Sequence, residues 1–106
     1  MAKYMFQASY TVEGLKGLLK DGGSKRREVL ESVVKEMGGT MEVFYYAFGH
    51  DDVFGIAEMP DNVSTAALAL VITASGAAKV RTVVLLTPEE IDKATKMTIS
   101  YSPPGQ

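Results

Sequence analysis

The chain has no cysteine and no tryptophan among its 106 residues, and only one histidine, His50. Missing thiols exclude disulfides and thiolate metal ligands, so stability must come from packing, and a reducing, cytoplasmic setting is expected. A single histidine excludes a histidine-rich metal site within one chain, and neither a metal nor a cofactor is expected. Charge of one sign is also lacking, with 11 Lys and Arg against 13 Asp and Glu and a net charge of −2. Lys25-Arg26-Arg27 is the one basic run, too little for a phosphate-tracking surface, so nucleic acid is not an expected partner. The longest apolar run, Ala66 to Ile72, is far too short to span a bilayer, and the start Met1-Ala2-Lys3-Tyr4-Met5-Phe6-Gln7 has no apolar signal core. No membrane association is expected. No dinucleotide fingerprint is present, which argues against a nicotinamide enzyme.

What is present reads as one α+β domain over residues 1–106, with 97–106 as an extended C-terminal tail. Lys3 to Tyr10 alternates as a strand, with Tyr4, Phe6, Ala8 and Tyr10 on one face. Thr11 caps a helix with apolar positions Val12, Leu15, Leu18 and Leu19, and Asp21-Gly22-Gly23-Ser24 breaks it. Ser24 is the expected second cap. Beyond it Val29, Leu30, Val33, Val34 and Met37 form one apolar stripe, with Lys25, Arg26, Glu28, Glu31, Ser32 and Lys35 largely off it. Gly38-Gly39 ends that helix.

The stretch from Gly38 to Asp61 organises the rest. It reads as two strands folded on a tight turn at Gly49-His50-Asp51-Asp52, closed by Pro60. Strict alternation puts Met41, Val43, Tyr45 and Ala47 opposite Glu42, Phe44, Tyr46 and Phe48, and Val53, Gly55, Ala57 and Met59 opposite Asp52, Phe54, Ile56 and Glu58. Both faces are mostly apolar, so something must cover each. Asp61 caps a further helix that stops at Ser75-Gly76. Lys79 to Thr87 forms a fourth strand, polar at its start and apolar at its end, so only its start should reach water. Thr87-Pro88-Glu89-Glu90 is a capping box with proline at the first helical position, opening a short helix to about Lys96. Met97 to Tyr101 alternates and could add an edge strand before Ser102-Pro103-Pro104-Gly105.

Strand, helix, strand, strand, helix, strand is the order of a ferredoxin-like βαββαβ sandwich, an antiparallel sheet with its main helices on one face. The uncovered sheet face calls for a second copy. Two sheets packed face to face form a dimeric α/β barrel, burying Phe44, Tyr46, Phe48, Phe54 and Ile56 or their counterparts on the opposite face.

Glu13-Gly14, Gly38-Gly39, Phe44-Tyr45-Tyr46 leading to Gly49, Asp52-Val53, Pro60-Asp61, Ser75-Gly76, and Leu85-Leu86-Thr87-Pro88-Glu89-Glu90 with Tyr101-Ser102-Pro103-Pro104-Gly105 occur in an order that resembles the GYD-domain proteins. Gly49 and Asp52 match the name-giving glycine and aspartate, while Asp51 stands where that family's tyrosine is usual. The resemblance implies the dimeric α/β-barrel fold and kinship with small monooxygenases, isomerases and ligand-sensing domains. It implies no activity by itself.

The candidates for chemistry are few. His50 could act as a general base, since histidine is the side chain whose unperturbed pKa lies near neutrality, although a His-Asp-Asp turn is usually solvated hairpin structure, and no nucleophile is paired with it. Asp52 is expected to hold the turn through a side-chain to backbone hydrogen bond. Glu58 lies on an otherwise apolar strand face and would need a partner if buried, for which Arg81 is the candidate. Tyr45 and Tyr46 point to opposite faces. The catalytic candidates are therefore His50, Glu58 and Tyr45, and the ligand-binding candidates Tyr45, Tyr46, Phe54, Glu58 and Arg81. Lys25-Arg26-Arg27, at a helix start after Gly22-Gly23-Ser24, could grip an anion, although a solvated helix end is the ordinary meaning of such a run. The preferred reading is a homodimer that binds a small apolar or aromatic organic ligand between sheet and helices. Its rival is a cofactor-independent monooxygenase- or isomerase-like enzyme, and a third reading is a regulatory or interaction subunit using its Pro-Pro tail. Convergence decides between the first two: the enzyme needs His50, Glu58 and a tyrosine hydroxyl around one cavity of at least about 300 Å³.

Overall fold

In the computed structural model, which describes residues 1–106, Thr11 separates strand β1 (Ala2–Tyr10) from helix α1 (Val12–Asp21), its hydroxyl accepting from the Gly14 N–H at 3.1 Å. Gly22 ends α1 and starts α2 (Gly23–Glu36) with φ at 84°, a conformation that glycine adopts without strain. The break is where the sequence places it, but the cap is not Ser24. That residue lies inside the first turn of α2, which has no side-chain cap at all. Gly38, at φ 89°, closes the other end of α2 before β2 (Thr40–Tyr46). The remaining elements are β3 (Val53–Met59), α3 (Asn62–Ala74), β4 (Ala78–Leu85) and α4 (Pro88–Thr95). Asp61 caps α3 through a 2.7 Å bond from the Ser64 N–H, and the full capping box forms at Thr87 and Glu90.

The four strands make one antiparallel sheet in the order β2-β3-β1-β4, compatible with the ferredoxin-like arrangement. Tyr4, Ala57 and Met59 on one face are buried beneath Val34 of α2 and Leu68 of α3, so both main helices cover the same side. The Tyr4 hydroxyl donates to the Asn62 side chain and ties the central strand to the start of α3.

Strict alternation fails in β2. A bulge between Met41 and Val43 shifts the register, so Met41 opposes Ala57 and Phe44 opposes Gly55 on the helix-covered face, while Val43 opposes Ile56 and Tyr45 opposes Phe54 on the outer face. Phe44 and Tyr46 therefore do not share a face with Phe54 and Ile56. The strands are joined by the six residues Ala47 to Asp52, a looser connection than a tight turn, closed by the Ala47 N–H on the Asp52 carbonyl at 2.9 Å. β4 also departs from expectation: its start, Ala78, is buried, and near its end Val83 is exposed on the outer face and Val84 on the helix side, at the edge of the sheet.

Residues 97–101 extend without pairing, so no fifth strand forms. Residues 88–106 are exposed throughout, and the chain measures 57 × 33 × 23 Å with a radius of gyration of 17.1 Å, against about 13 Å for a compact domain of this size. No helix is long and apolar enough to cross a membrane.

Two glycines of α1 test its seating. A Cβ at Gly14 would lie 1.9 Å from the Ala77 carbonyl oxygen, whereas nothing lies within 4 Å of one at Gly17. Gly14→Ala should therefore lower the melting temperature by about 8 °C or more, and Gly17→Ala should raise it by a few degrees at most, roughly the helix-propensity gain. Thermal denaturation of the two variants checks this; similar shifts for both would contradict the packing of α1 against the α3–β4 connection.

Candidate functional site

The β2–β3 connection folds over the end of β1 and brings Ser9, His50, Asp51 and Arg81 together. Asp51 is buried, 6% exposed, yet it is ionisable and must be satisfied there. Its carboxylate accepts from the Ser9 hydroxyl at 3.0 Å and from the Arg81 guanidinium, with the His50 ring 3.5 Å away. Burial pushes the carboxyl up, but hydrogen bonds from Arg81 and Ser9, the Arg81 charge and the contact with His50 outweigh it and hold it below its ordinary value of 3.8. Next to it Asp52 accepts from the Tyr10 N–H at 2.8 Å, while its own N–H donates to the Ala8 carbonyl at 2.8 Å. Asp52 thus bonds backbone as expected, but it is the backbone of β1.

The candidates read from the sequence do not converge. The His50 side chain is 85% exposed on the connection and its ring meets Asp51 and Arg81, while its carbonyl accepts from the Ser9 hydroxyl at 3.2 Å. Arg81 is held by Asp51 and not by Glu58. In the sheet Arg81 lies opposite Gln7 and Glu58 opposite Lys3, four residues apart on β1, about 13 Å along the strand. Tyr45 and Phe54 pair on the outer face, where Tyr45 is largely exposed. Tyr46 is on the helix side, edge-on to Phe44, and its hydroxyl donates to the Gly23 carbonyl at 3.0 Å. That hydroxyl anchors α2. No three of the His, Asp and Glu side chains come together as a metal-binding group.

An apolar cavity lies on the other side of the sheet. Between the sheet and helices α2 and α3 is a cleft with a cavity volume of about 120 Å³, walled by Phe6, Phe44, Leu30, Leu68, Ile72 and Val80. Ala8, Gly55 and Ala78 leave the space, since each puts little or no side chain where a larger residue would fill it. Only one charged side chain reaches the lining, Arg26, joined by the polar Tyr10 and Ser75. Burial pushes the Tyr10 phenol up to about 12, with the neighbouring Tyr46 adding and Arg26 opposing. It therefore stays protonated near neutrality and offers a hydrogen-bond donor rather than a base.

Among these lining residues Phe44, Val53 and Ser75 belong to the family-like motifs, and Arg26 to the basic run Lys25-Arg26-Arg27 that could grip an anion. The sequence reading puts Arg26 off the apolar stripe of α2, but with Leu30 and Val34 it repeats every four residues and shares that stripe.

A family model for the GYD domain matches residues 4–95. The chain belongs to the GYD domain family. The match runs from β1 to the end of α4, and residues 96–106 lie beyond it. In this GYD chain the connection carries Gly49 and ends on Asp52, and Asp51 bonds Ser9 and Arg81. Comparison with curated proteins and with solved structures returned no match.

Because the folded-state pKa of Asp51 is depressed, its contribution to stability is present above 3.8 and is lost as pH falls through the lower folded value. Asp51→Asn should lower the melting temperature at neutral pH by about 5 °C, by leaving Arg81 without its anion. The gap between variant and parent should close as pH drops below that value, as followed by melts over a pH series. A constant gap would show that Asp51 acts by shape and not by charge.

Proposed function

We propose that this GYD-domain protein is a homodimeric binder of a small apolar or aromatic organic molecule, held in the cleft between the sheet and helices α2 and α3. The observation that carries this reading is the cleft itself, an apolar cavity of about 120 Å³ with few polar groups at its wall. That volume is near the roughly 150 Å³ of a dry apolar cavity able to take benzene. A single ring or an equivalent alkyl group is the scale of ligand it suits.

Support for the dimer comes from the opposite face. Only 12 of 106 residues are buried in one chain, and the outer sheet face carries Met5, Val43, Phe54, Ile56 and Val83 with no element over them. Pairing two such faces gives the dimeric α/β barrel, with the helices outward. The enzyme reading lacks the convergence it needs, since His50 and Glu58 lie away from the cleft and neither is among its lining residues.

Native mass spectrometry of the protein purified from its own host tests both parts. The expected species is twice 11.4 kDa with a retained organic ligand. Ala8→Leu, which places a side chain in the cleft, should release the ligand and keep the dimer. Ile56→Glu, which puts a charge at the centre of the outer face, should yield a folded monomer, whereas Phe44→Glu should unfold the chain because Phe44 lies under the helices. An empty monomer from the parent protein would overturn the proposal.

A further inference from the structure

Resting on the cleft reading above, we infer that the ligand is an organic carboxylate, its ring or alkyl group in the apolar cleft and its carboxylate on the guanidinium of Arg26. Arg26 is the one charged residue that lines the cavity, so any anionic end of a bound molecule has a single counterpart there. Its protein partner is weak: Asp21 approaches only to 3.9 Å, beyond hydrogen-bond range. By contrast, Arg27 is paired with Glu31 at 3.1 Å and Arg81 is hydrogen-bonded to Asp51.

Arg26 also lies near the start of a helix. It follows directly on the first turn of α2, which holds no acidic residue and no capping side chain, so the positive end of the helix and the Lys25-Arg26-Arg27 run add to one another. An anion at the mouth of the cleft relieves that concentration of positive charge. A carboxylate matches the planar fork of a guanidinium through two parallel hydrogen bonds, and a cavity of single-ring size leaves the head group at the wall, to which Arg26 belongs.

The test compares three probes of one shape, 3-phenylpropionate, 3-phenylpropanol and 3-phenylpropylamine, titrated into the full chain and followed by backbone amide shifts of β1 and α2. The carboxylate should bind at least about tenfold more tightly than the alcohol, the gain of a charge-assisted hydrogen bond, and the amine most weakly. Arg26→Gln should bring the carboxylate to the affinity of the alcohol and leave the alcohol unchanged, and Arg26→Lys should keep part of the preference. Equal binding of carboxylate and alcohol to the parent protein, or a preference that survives in Arg26→Gln, would overturn the head-group assignment while leaving the cleft as a binding site. Failure of all three probes to shift the cleft residues would overturn both.

Discussion

The fold depends on one short contact, the closing of Val34 and Leu68 over Tyr4, Ala57 and Met59. These five residues form the buried core cluster. With so small a core, every other element takes its position from this clamp: β1 and β3 lie under it, α2 and α3 make it, and β2 and β4 are added at the sheet's edges. Val34 and Leu68 also line the cleft, so the cavity begins where the core ends. Toward Met59 the helices meet a large side chain. Toward Gly55, Ala8 and Ala78 they meet almost none, and the space between the layers opens.

Two arginines show how the same side chain takes different roles. Arg81 meets a buried carboxylate whose removal would leave a cation without its partner, and that pair ties β4 to the β2–β3 connection across the end of β1. The Arg26 side chain is 32% exposed, stands beside an apolar cavity and has only a distant aspartate. The first arrangement holds the fold together. The second leaves charge available at the mouth of a pocket, which is the condition for recognising an anion that arrives from solution.

Local chemistry was readable from the chain, and long-range register was not. Thr11, Asp61 and Thr87 act as caps as their residue types require, and Gly22 and Gly38 take the positive φ at the breaks that the sequence marks. The strand order follows from the order of elements. What strict alternation could not show is the bulge at Met41 and Val43, where one extra residue moves Phe44 and Tyr46 under the helices. The pairing of Arg81 with Asp51 rather than Glu58 depends on the β1–β4 register, which no single strand encodes. A cleft between sheet and helices was expected, but its walls were not legible for a related reason: they are made by the absence of side chains at Ala8, Gly55 and Ala78, which are far apart in sequence and meet only through pairing. Arg26 was legible only in part: the basic run marks it as able to grip an anion, but its spacing from Leu30 and Val34 puts it on the apolar stripe that the sequence reading placed it off.

The two faces of the sheet bear on how binding and assembly are related in the proposed function. Along β3 the residues alternate, Val53 and Gly55 toward the cleft, Phe54 and Ile56 toward the outer face, so a partner seated on the outer face neither covers nor completes the cavity. Each protomer then has its own complete site, and a ligand has no steric route to change the dimer. Coupling between the two would have to pass through β3 itself, whose backbone is held on both sides by β1 and β2. A strand paired on both edges is the part of a sheet least free to move. The arrangement therefore favours two independent sites on a rigid shared platform, with affinity set within each chain by the cleft and by Arg26.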